Sequence, residues 1–364
     1  MKKQQNYPQL AISLTDICNY KCHYCRPSGS SVNKSEKELP FDEIIRLLSI
    51  AYNIGYRVFR LTGGEPTLRY DFIQIIKAIS NFGNDTTILV GTNGAFLNDK
   101  IQEFKKYKNL KFFIGLDLIS NYSEGLPKGM TQSLFYNLCD LATSNFVRIN
   151  MLVLNSNKDE VWNMIKFCSA LNIDLKLHDL YFCEEILSPN LTPEKYFDKE
   201  YYNINQLIPV LSNRSKKISK YPENASDCGI PMLSFNIDGI NVVIKDSLKG
   251  SYYNSKCRSC SMYPCLHGLY CPIITSDGTL QPSNCVNRNF HRKLAYMDED
   301  QVRQAFNYVN SIIKNSKFET INSSSLKVDL ELQNIDLLSK VTSTPIATSI
   351  KEKEAFLFEK IQHI

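Results

Sequence analysis

The chain contains no run of 18 apolar residues, so no segment reads as a membrane-spanning helix. Its opening residues, MKKQQNYPQL, hold no apolar h-region, which excludes a secretory signal at that point. An excess of one charge is also missing. The 42 basic and 37 acidic residues leave +5 spread over 364 residues, too little to argue for nucleic acid or a membrane surface. The basic runs at 100–111 and 214–220 read as solvated faces. No internal repeat is visible beyond an alternation of strands and helices. The 43% apolar and 22% charged composition is that of a globular protein with a full core, one large domain and a smaller one.

Cysteine is what the chain has in quantity, with twelve residues. A chain that is not exported seldom uses them as disulfides, so metal or redox chemistry in the cytoplasm is expected. They cluster, three at 18–25 and five at 257–285, while Cys139, Cys168, Cys183 and Cys228 stand alone. Cys139 and Cys168 lie in apolar helical stretches and are expected in the core. The first group has the spacing Cys18-x3-Cys22-x2-Cys25. A [4Fe–4S] cluster usually takes four thiolates, so three on a short loop leave one iron open to a small molecule. A zinc loop or a ferredoxin-type binding protein is the alternative for the triplet alone.

The periodicity places this loop at the end of a strand. Residues 10–15 form an apolar run read as the first strand, and the cysteines follow its C-terminal end, where α/β sheets build their sites. Ile44, Ile45, Leu48 and Ala51 give a helix that Gly55 ends. Strands are predicted at 57–62, 87–91, 110–116, 146–154 and 173–178, with helices at 70–82, 98–107, 131–144 and 158–171 between them. Six strands with helical crossovers give an α/β fold, a partial (β/α)6 barrel over residues 1–182. Residues 183–231 read as a connecting insertion with one helix. Residues 232–298 carry two hairpins, 232–246 on the Asp238, Gly239 turn and 272–282 on the Asp277, Gly278 turn, with the cysteine-dense stretch between. A terminal helical segment, 299–364, begins with a helix at 299–314 and has Ser/Thr-rich joints at 322–325 and 342–349.

Strand two runs directly into Thr62, Gly63, Gly64, Glu65 and Pro66. Two glycines let backbone approach a ligand, and a glutamate accepts from an ammonium. With the cysteine triplet, this segment resembles the radical S-adenosylmethionine (SAM) superfamily. The resemblance implies a cluster on Cys18, Cys22 and Cys25 with SAM at its open iron, and a reductant such as flavodoxin or ferredoxin. Tyr24 would shield the cluster near the adenine. Gly63, Gly64 and Glu65 would hold the methionine amino group. Thr92 and Asn93 would lie near the SAM carboxylate and ribose, with Asp117, Asn150 and Lys176 at the ends or within strands four, five and six. Reductive cleavage of SAM would yield a 5′-deoxyadenosyl radical that takes a hydrogen atom from substrate. For each polar residue, strand-end or cap bonding is the alternative.

The second group, Cys257-x2-Cys260-x4-Cys265-x5-Cys271-x13-Cys285, surrounds the second hairpin. It resembles the twitch or SPASM-type module, which implies an auxiliary [4Fe–4S] cluster. Four thiolates fill a cubane, so one of five is spare, and the spacing leaves open which. A four-cysteine zinc site is the alternative. Over residues 9–290 the architecture is similar to that of the GTP 3′,8-cyclase family of molybdenum-cofactor synthesis. Ala11 and Ile17 stand where that family has arginine, the strand from Pro272 to Thr275 carries no cation, and the chain ends Gln-His-Ile instead of Gly-Gly. A triphosphate needs several fixed cations or backbone nests. A peptide or small natural product is therefore the expected substrate. A nucleotide, held by Arg148, Lys176 or the Arg288 and Arg292 pair, is the alternative. Because nine residues precede strand one, any leader-peptide-binding domain is expected on a separate protein. A non-enzymatic iron–sulfur or zinc-binding protein would have no use for the 63–65 segment.

Overall fold

The computed structural model describes residue 7 and residues 9–25, 38–119, 128–182, 190–220, 232–245, 250–265, 267–285 and 287–320. Cys183, Cys228 and the joints at 322–325 and 342–349 lie outside them.

Six strands pair side by side, all parallel, in the order of the sequence: β1 (Leu10–Ser13), β2 (Val58–Thr62), β3 (Thr87–Thr92), β4 (Leu110–Gly115), β5 (Phe146–Leu152) and β6 (Asp174–His178). The crossovers are α1 (Phe41–Ile54), α2 (Phe72–Ser80), α3 (Ile101–Phe104), α4 (Gln132–Ala142) and α5 (Val161–Leu171). This is the α/β arrangement that the periodicity implied. Alternate strand residues such as Phe59, Leu61, Ile149, Met151, Leu175 and Leu177 are sealed in the hydrophobic core. Successive strand side chains point to opposite faces, so the residues between them face the other side, the barrel interior.

The local chemistry accounts for the boundaries. Pro40 precedes α1, Asp42 and Glu43 sit in its first turn where the helix dipole favours anions, and Gly55 ends it at φ +128°. The region expected to be helical at 98–107 is a single 3-10 turn and the four-residue α3. That segment holds Lys100, Lys105 and Lys106, leaving Ile101 and Phe104 as its buried anchors. Among the described residues of the connecting region there are two α-helices, α6 (Pro193–Glu200) and α7 (Ile208–Arg214), where one was expected. Cys168 is sealed in the core and Cys139 packs against it.

Both C-terminal hairpins join the barrel sheet, at opposite edges. β8 (Met232–Ile237) and β9 (Ile240–Lys245) add beyond β6, with β9 parallel to β6 and β7 (Ile218–Lys220) outermost. β11 (Pro272–Ile274) lies parallel to β1 and carries β12 (Thr279–Pro282) and β13 (Arg292–Lys293) beyond it. Among the described residues the result is one twelve-stranded sheet. The short β10 (Ser251–Tyr253) pairs with β14 (Lys317–Glu319) in a separate ladder. Between them in sequence, α8 (Glu299–Lys314) starts on an Asp298, Gln301 capping box and buries Val302, Phe306, Val309 and Ile313.

Candidate functional site

The cysteine loop leaves β1 and is zipped to the loop after β2. Gly64 N–H donates to the Thr15 carbonyl and Glu65 N–H to that of Ile17, both at 2.7 Å. The two glycines make this approach possible. A Cβ on Gly63 would stand 2.4 Å from the Thr15 oxygen, and one on Gly64 would stand 2.2 Å from the Ile17 oxygen. The space left by the missing side chains is therefore filled by the backbone that leads into Cys18. Arg69, paired with Asp71 at 2.7 Å, donates to the Leu14 and Leu39 carbonyls. Ser276, in the β11–β12 turn, donates to Asp16 at 2.6 Å.

Glu65 is 1% exposed. Its carboxylate accepts from Thr67 N–H, the hydroxyls of Thr67 and Thr92, and Asn93 N–H. Four donors match the acceptor capacity of an ionised carboxylate. Glu65 thus ties the ends of β2 and β3 together. Asn93 carries the tie onward: its amide donates to Asn19 at 2.9 Å and lies 3.9 Å from the Cys18 sulfur.

On the other side Tyr24 and Asp117, read separately from the sequence, form one unit. The Tyr24 hydroxyl donates to Asp117, whose second oxygen accepts from Leu152 N–H at 2.9 Å. Burial pushes the Asp117 carboxyl up, with Lys128 and Tyr24 opposing that shift. Burial and the Asp117 charge push the Tyr24 hydroxyl well above its usual range. Lys128, which the sequence reading missed, stands with its ammonium 5.2 Å from the Tyr24 ring centre. Burial alone would lower it, but Asp117 and the thiols of Cys22, Cys25 and Cys18 outweigh that and raise it. The only sequence signal was its place on the return from strand four.

Lys128 is within electrostatic reach of all three thiols, which share one short loop closed by Cys25 N–H donating to the Cys22 carbonyl at 2.9 Å. Cys22 is buried, Cys18 and Cys25 are exposed, and burial pushes the Cys22 thiol up to about 11. Three thiols on one short loop leave one iron of a [4Fe–4S] cluster open, so the donor set fits that group, with Lys128 as counter-charge to a net anionic cluster. Changing Lys128 to Met in reconstituted protein is expected to make the reduction potential of this cluster more negative. Loss of a nearby cation disfavours the extra electron, by about 59 mV for each 1.4 kcal/mol in a one-electron couple. An unchanged potential in an EPR-monitored redox titration would place Lys128 away from the cluster.

The barrel interior is cationic. Arg60 lies between the core residues Phe59 and Leu61, Arg148 between Val147 and Ile149, and Lys176 between Leu175 and Leu177, while Lys245 follows Ile244. All four therefore project from the face opposite the helices. Asn150, in register with Gly115 and Lys176, accepts from Arg148 at 3.1 Å. Burial holds the Lys176 ammonium well below its usual range, and Arg148, Lys245 and Arg60 lower it further, against Asp179. The same cations hold His178 low after burial. Across a flat sheet the β2 and β6 backbones would stand about 19 Å apart, so mutual influence of Arg60 and Lys176 reports the curvature. Arg60 and Lys245 were missed in the sequence, although each breaks an apolar strand at the period of two. Arg148 lies over the Phe113 ring at 3.9 Å and Lys245 over that of Tyr181 at 3.6 Å. Arg292 stacks on Tyr308 at 3.7 Å at the outer edge of the sheet, and Arg288 is exposed.

Residues 12–168 match the radical SAM superfamily. The chain is 32% identical over 232 residues to "Probable GTP 3',8-cyclase" of Pyrococcus abyssi, covering 58% of this chain and 70% of that protein. It is 32% identical over 176 residues to "GTP 3',8-cyclase" of Clostridium perfringens strain 13, covering 47% of this chain and 54% of that protein. Among solved structures, Streptococcus suis SuiB bound to precursor peptide SuiA aligns over 82% of this chain and 65% of that one, with TM-score 0.55 and 16% identity. Native anSMEcpe with bound AdoMet and Cp18Cys peptide aligns over 98% of both chains, with TM-score 0.54 and 13% identity. The structural likenesses agree on the fold, and the cysteine loop locked to the 63–65 segment lies inside the matched region: the chain belongs to the radical SAM superfamily.

Proposed function

We propose that this radical SAM enzyme acts on a small anionic substrate, of the nucleotide phosphate class, seated against Arg60, Arg148, Lys176 and Lys245. The carrying observation is that these four cations face one interior. When bound, the cluster and SAM supply a 5′-deoxyadenosyl radical that abstracts hydrogen. The chain's own residues do the rest. Residues 63–65, Thr92 and Asn93 hold the cysteine loop in place, Tyr24 and Asp117 clamp its far end, and the lumen cations orient the substrate. Charged hydrogen bonds are worth about 1.5–3 kcal/mol each, so several together suffice for specific anion binding.

The nucleotide reading is supported by the names of the cyclase relatives as well as by the cations. The arginines missing at Ala11, Ile17 and on β11 weighed against it, but Arg60 and Lys245 supply charge from other strands. A peptide or uncharged natural product remains the competing reading, and an auxiliary iron–sulfur cluster on the C-terminal cysteines is part of the same proposal.

The test is equilibrium titration with GTP, GDP and guanosine. GTP is expected to bind much more tightly than guanosine, and changing Arg148 and Lys176 to Met should remove most of that difference. The binding should also depend on pH. A bound anion favours the charged forms of Lys176 and Lys245, both depressed by burial, Lys245 to about 7, so binding takes up protons. Affinity should fall as pH rises through those depressed values, below the usual lysine pKa of about 10.4, and changing both lysines to Met should flatten the slope. Equal affinity for GTP and guanosine would remove the anionic substrate.

A further inference from the structure

The fold divides the five C-terminal cysteines into four and one. Residues 254–269 leave β10 and return to it, with Leu269 N–H donating to the Tyr252 carbonyl at 2.9 Å. Inside this loop Cys257 N–H donates to Asn254 at 2.8 Å and Cys260 N–H to Cys257 at 2.9 Å. The hydroxyl of the buried Tyr253 donates to the Cys265 carbonyl, and its ring meets Tyr263 edge-on at 5.2 Å. Cys285 arrives from the far side of the β11–β12 hairpin, its carbonyl held by the His291 ring at 2.7 Å. Cys257 belongs to the hydrophobic core, and Cys265 and Cys285 pack against it.

Ser283 N–H donates to the Cys271 carbonyl and the Ser283 hydroxyl accepts from Tyr270 N–H, both at 2.7 Å, so the hairpin end that leads to Cys285 is held against the end of this loop. The electrostatics agree: Cys285 feels Cys265, Cys257 and Cys260, and Cys257 feels Cys265 and Cys260. Cys271 is turned elsewhere. It stands two residues before Ile273, which pairs with Ala11 of β1. Its sulfur accordingly lies beside Gln9, whose amide donates to it at 3.5 Å, and acts on Tyr56. Tyr56 is sealed in the core with its hydroxyl on Asn310 of α8.

We propose that Cys257, Cys260, Cys265 and Cys285 are the thiolate ligands of the auxiliary [4Fe–4S] cluster and that Cys271 is a core residue. This rests on the reading above that such a cluster is present. Four thiolates close a cubane, so no auxiliary iron is left for the substrate, and recognition falls to the lumen cations. A four-cysteine zinc site would need all its sulfurs about 2.3 Å from one ion, and metal content decides between the two.

The test is iron and zinc content, with EPR of the reduced clusters, in anaerobically reconstituted full-length variants. Wild type is expected to carry about eight iron, from two cubanes. Cys271→Ser should keep all of it and the wild-type spectrum. Valine in place of Cys257, Cys260, Cys265 or Cys285 should cost about half, by the four-iron stoichiometry of a cubane. Cys271→Val separates ligation from packing, since valine fills the core but cannot bind iron: iron kept in this variant supports the assignment even if serine loosens the core. Loss of half the iron in Cys271→Val, or full retention in Cys285→Val, would overturn the ligand set while leaving two clusters in wild type. Wild type with about four iron, or with four iron and one zinc, would instead overturn the auxiliary-cluster reading itself. Finally, in protein lacking Cys18, Cys22 and Cys25, added cyanide should leave the auxiliary EPR signal unmoved. A shifted signal would reveal an open iron and refute closure by four thiolates.

Discussion

Protein in which Cys18, Cys22 and Cys25 are all alanine is expected to keep about half its iron, by the four-iron stoichiometry of a cubane, and to form no 5′-deoxyadenosine from SAM under reducing conditions. The reason is local. The three thiols share one loop within electrostatic reach of Lys128, and that loop is fixed at both ends, by residues 63–65 and by the Tyr24–Asp117 hydrogen bond. Removing the thiols takes away every thiolate of that site and little of the packing, since Cys18 and Cys25 are exposed. Wild-type protein with dithionite and SAM should form 5′-deoxyadenosine slowly even without substrate. Chromatographic detection of undiminished product from the triple variant would move the reductive chemistry to another site.

The second large effect is expected at Glu65. Glu65→Ala should destabilise the protein without any ligand present. Thr67 N–H and Asn93 N–H lose their acceptor in a site that is 1% exposed, and backbone donors cannot rotate away as the two threonine hydroxyls can. A buried donor left unpaired costs about 1–3 kcal/mol, so the pair alone costs about 2–6 kcal/mol against a total stability of about 5–15 kcal/mol. The loss should appear in chemical denaturation of the cluster-free chain. Because Asn93 reaches Asn19 and approaches Cys18, the variant should also hold its first cluster less well. Unchanged stability combined with weaker SAM binding alone would mean that Glu65 serves the ligand ammonium and not the joint between β2 and β3.

Much of this architecture was legible in the residues. The period-two apolar runs of β2 to β6 and the helical stripes between them specified parallel crossovers. Asp238 with Gly239 and Asp277 with Gly278 marked both hairpin turns, at φ values of 49° and 89° for the first pair. The last helix, α8, lies where it was expected, at 299–314. The short α3 was less legible, because the hydrophobic pattern of a single turn with two anchors cannot be told from that of a longer helix.

The sequence by itself determined the chemistry: three cysteines at fixed spacing after a strand, a Gly-Gly-Glu turn after the next, and a second cysteine group downstream. These signals are local, and short spacing constrains geometry directly. Tertiary structure decided which groups act together. Tyr24 and Asp117, 93 residues apart, became one clamp, Glu65 became the fastening between two strand ends, and Lys128 joined the three thiols. Arg60, Arg148, Lys176 and Lys245 came to face one interior because a twisted, curved sheet brings distant strands together, and Cys271 turned toward β1 because its strand pairs there. Such groupings depend on sheet closure and strand register, which arise from contacts between residues far apart in the chain and leave no mark in any short stretch of it.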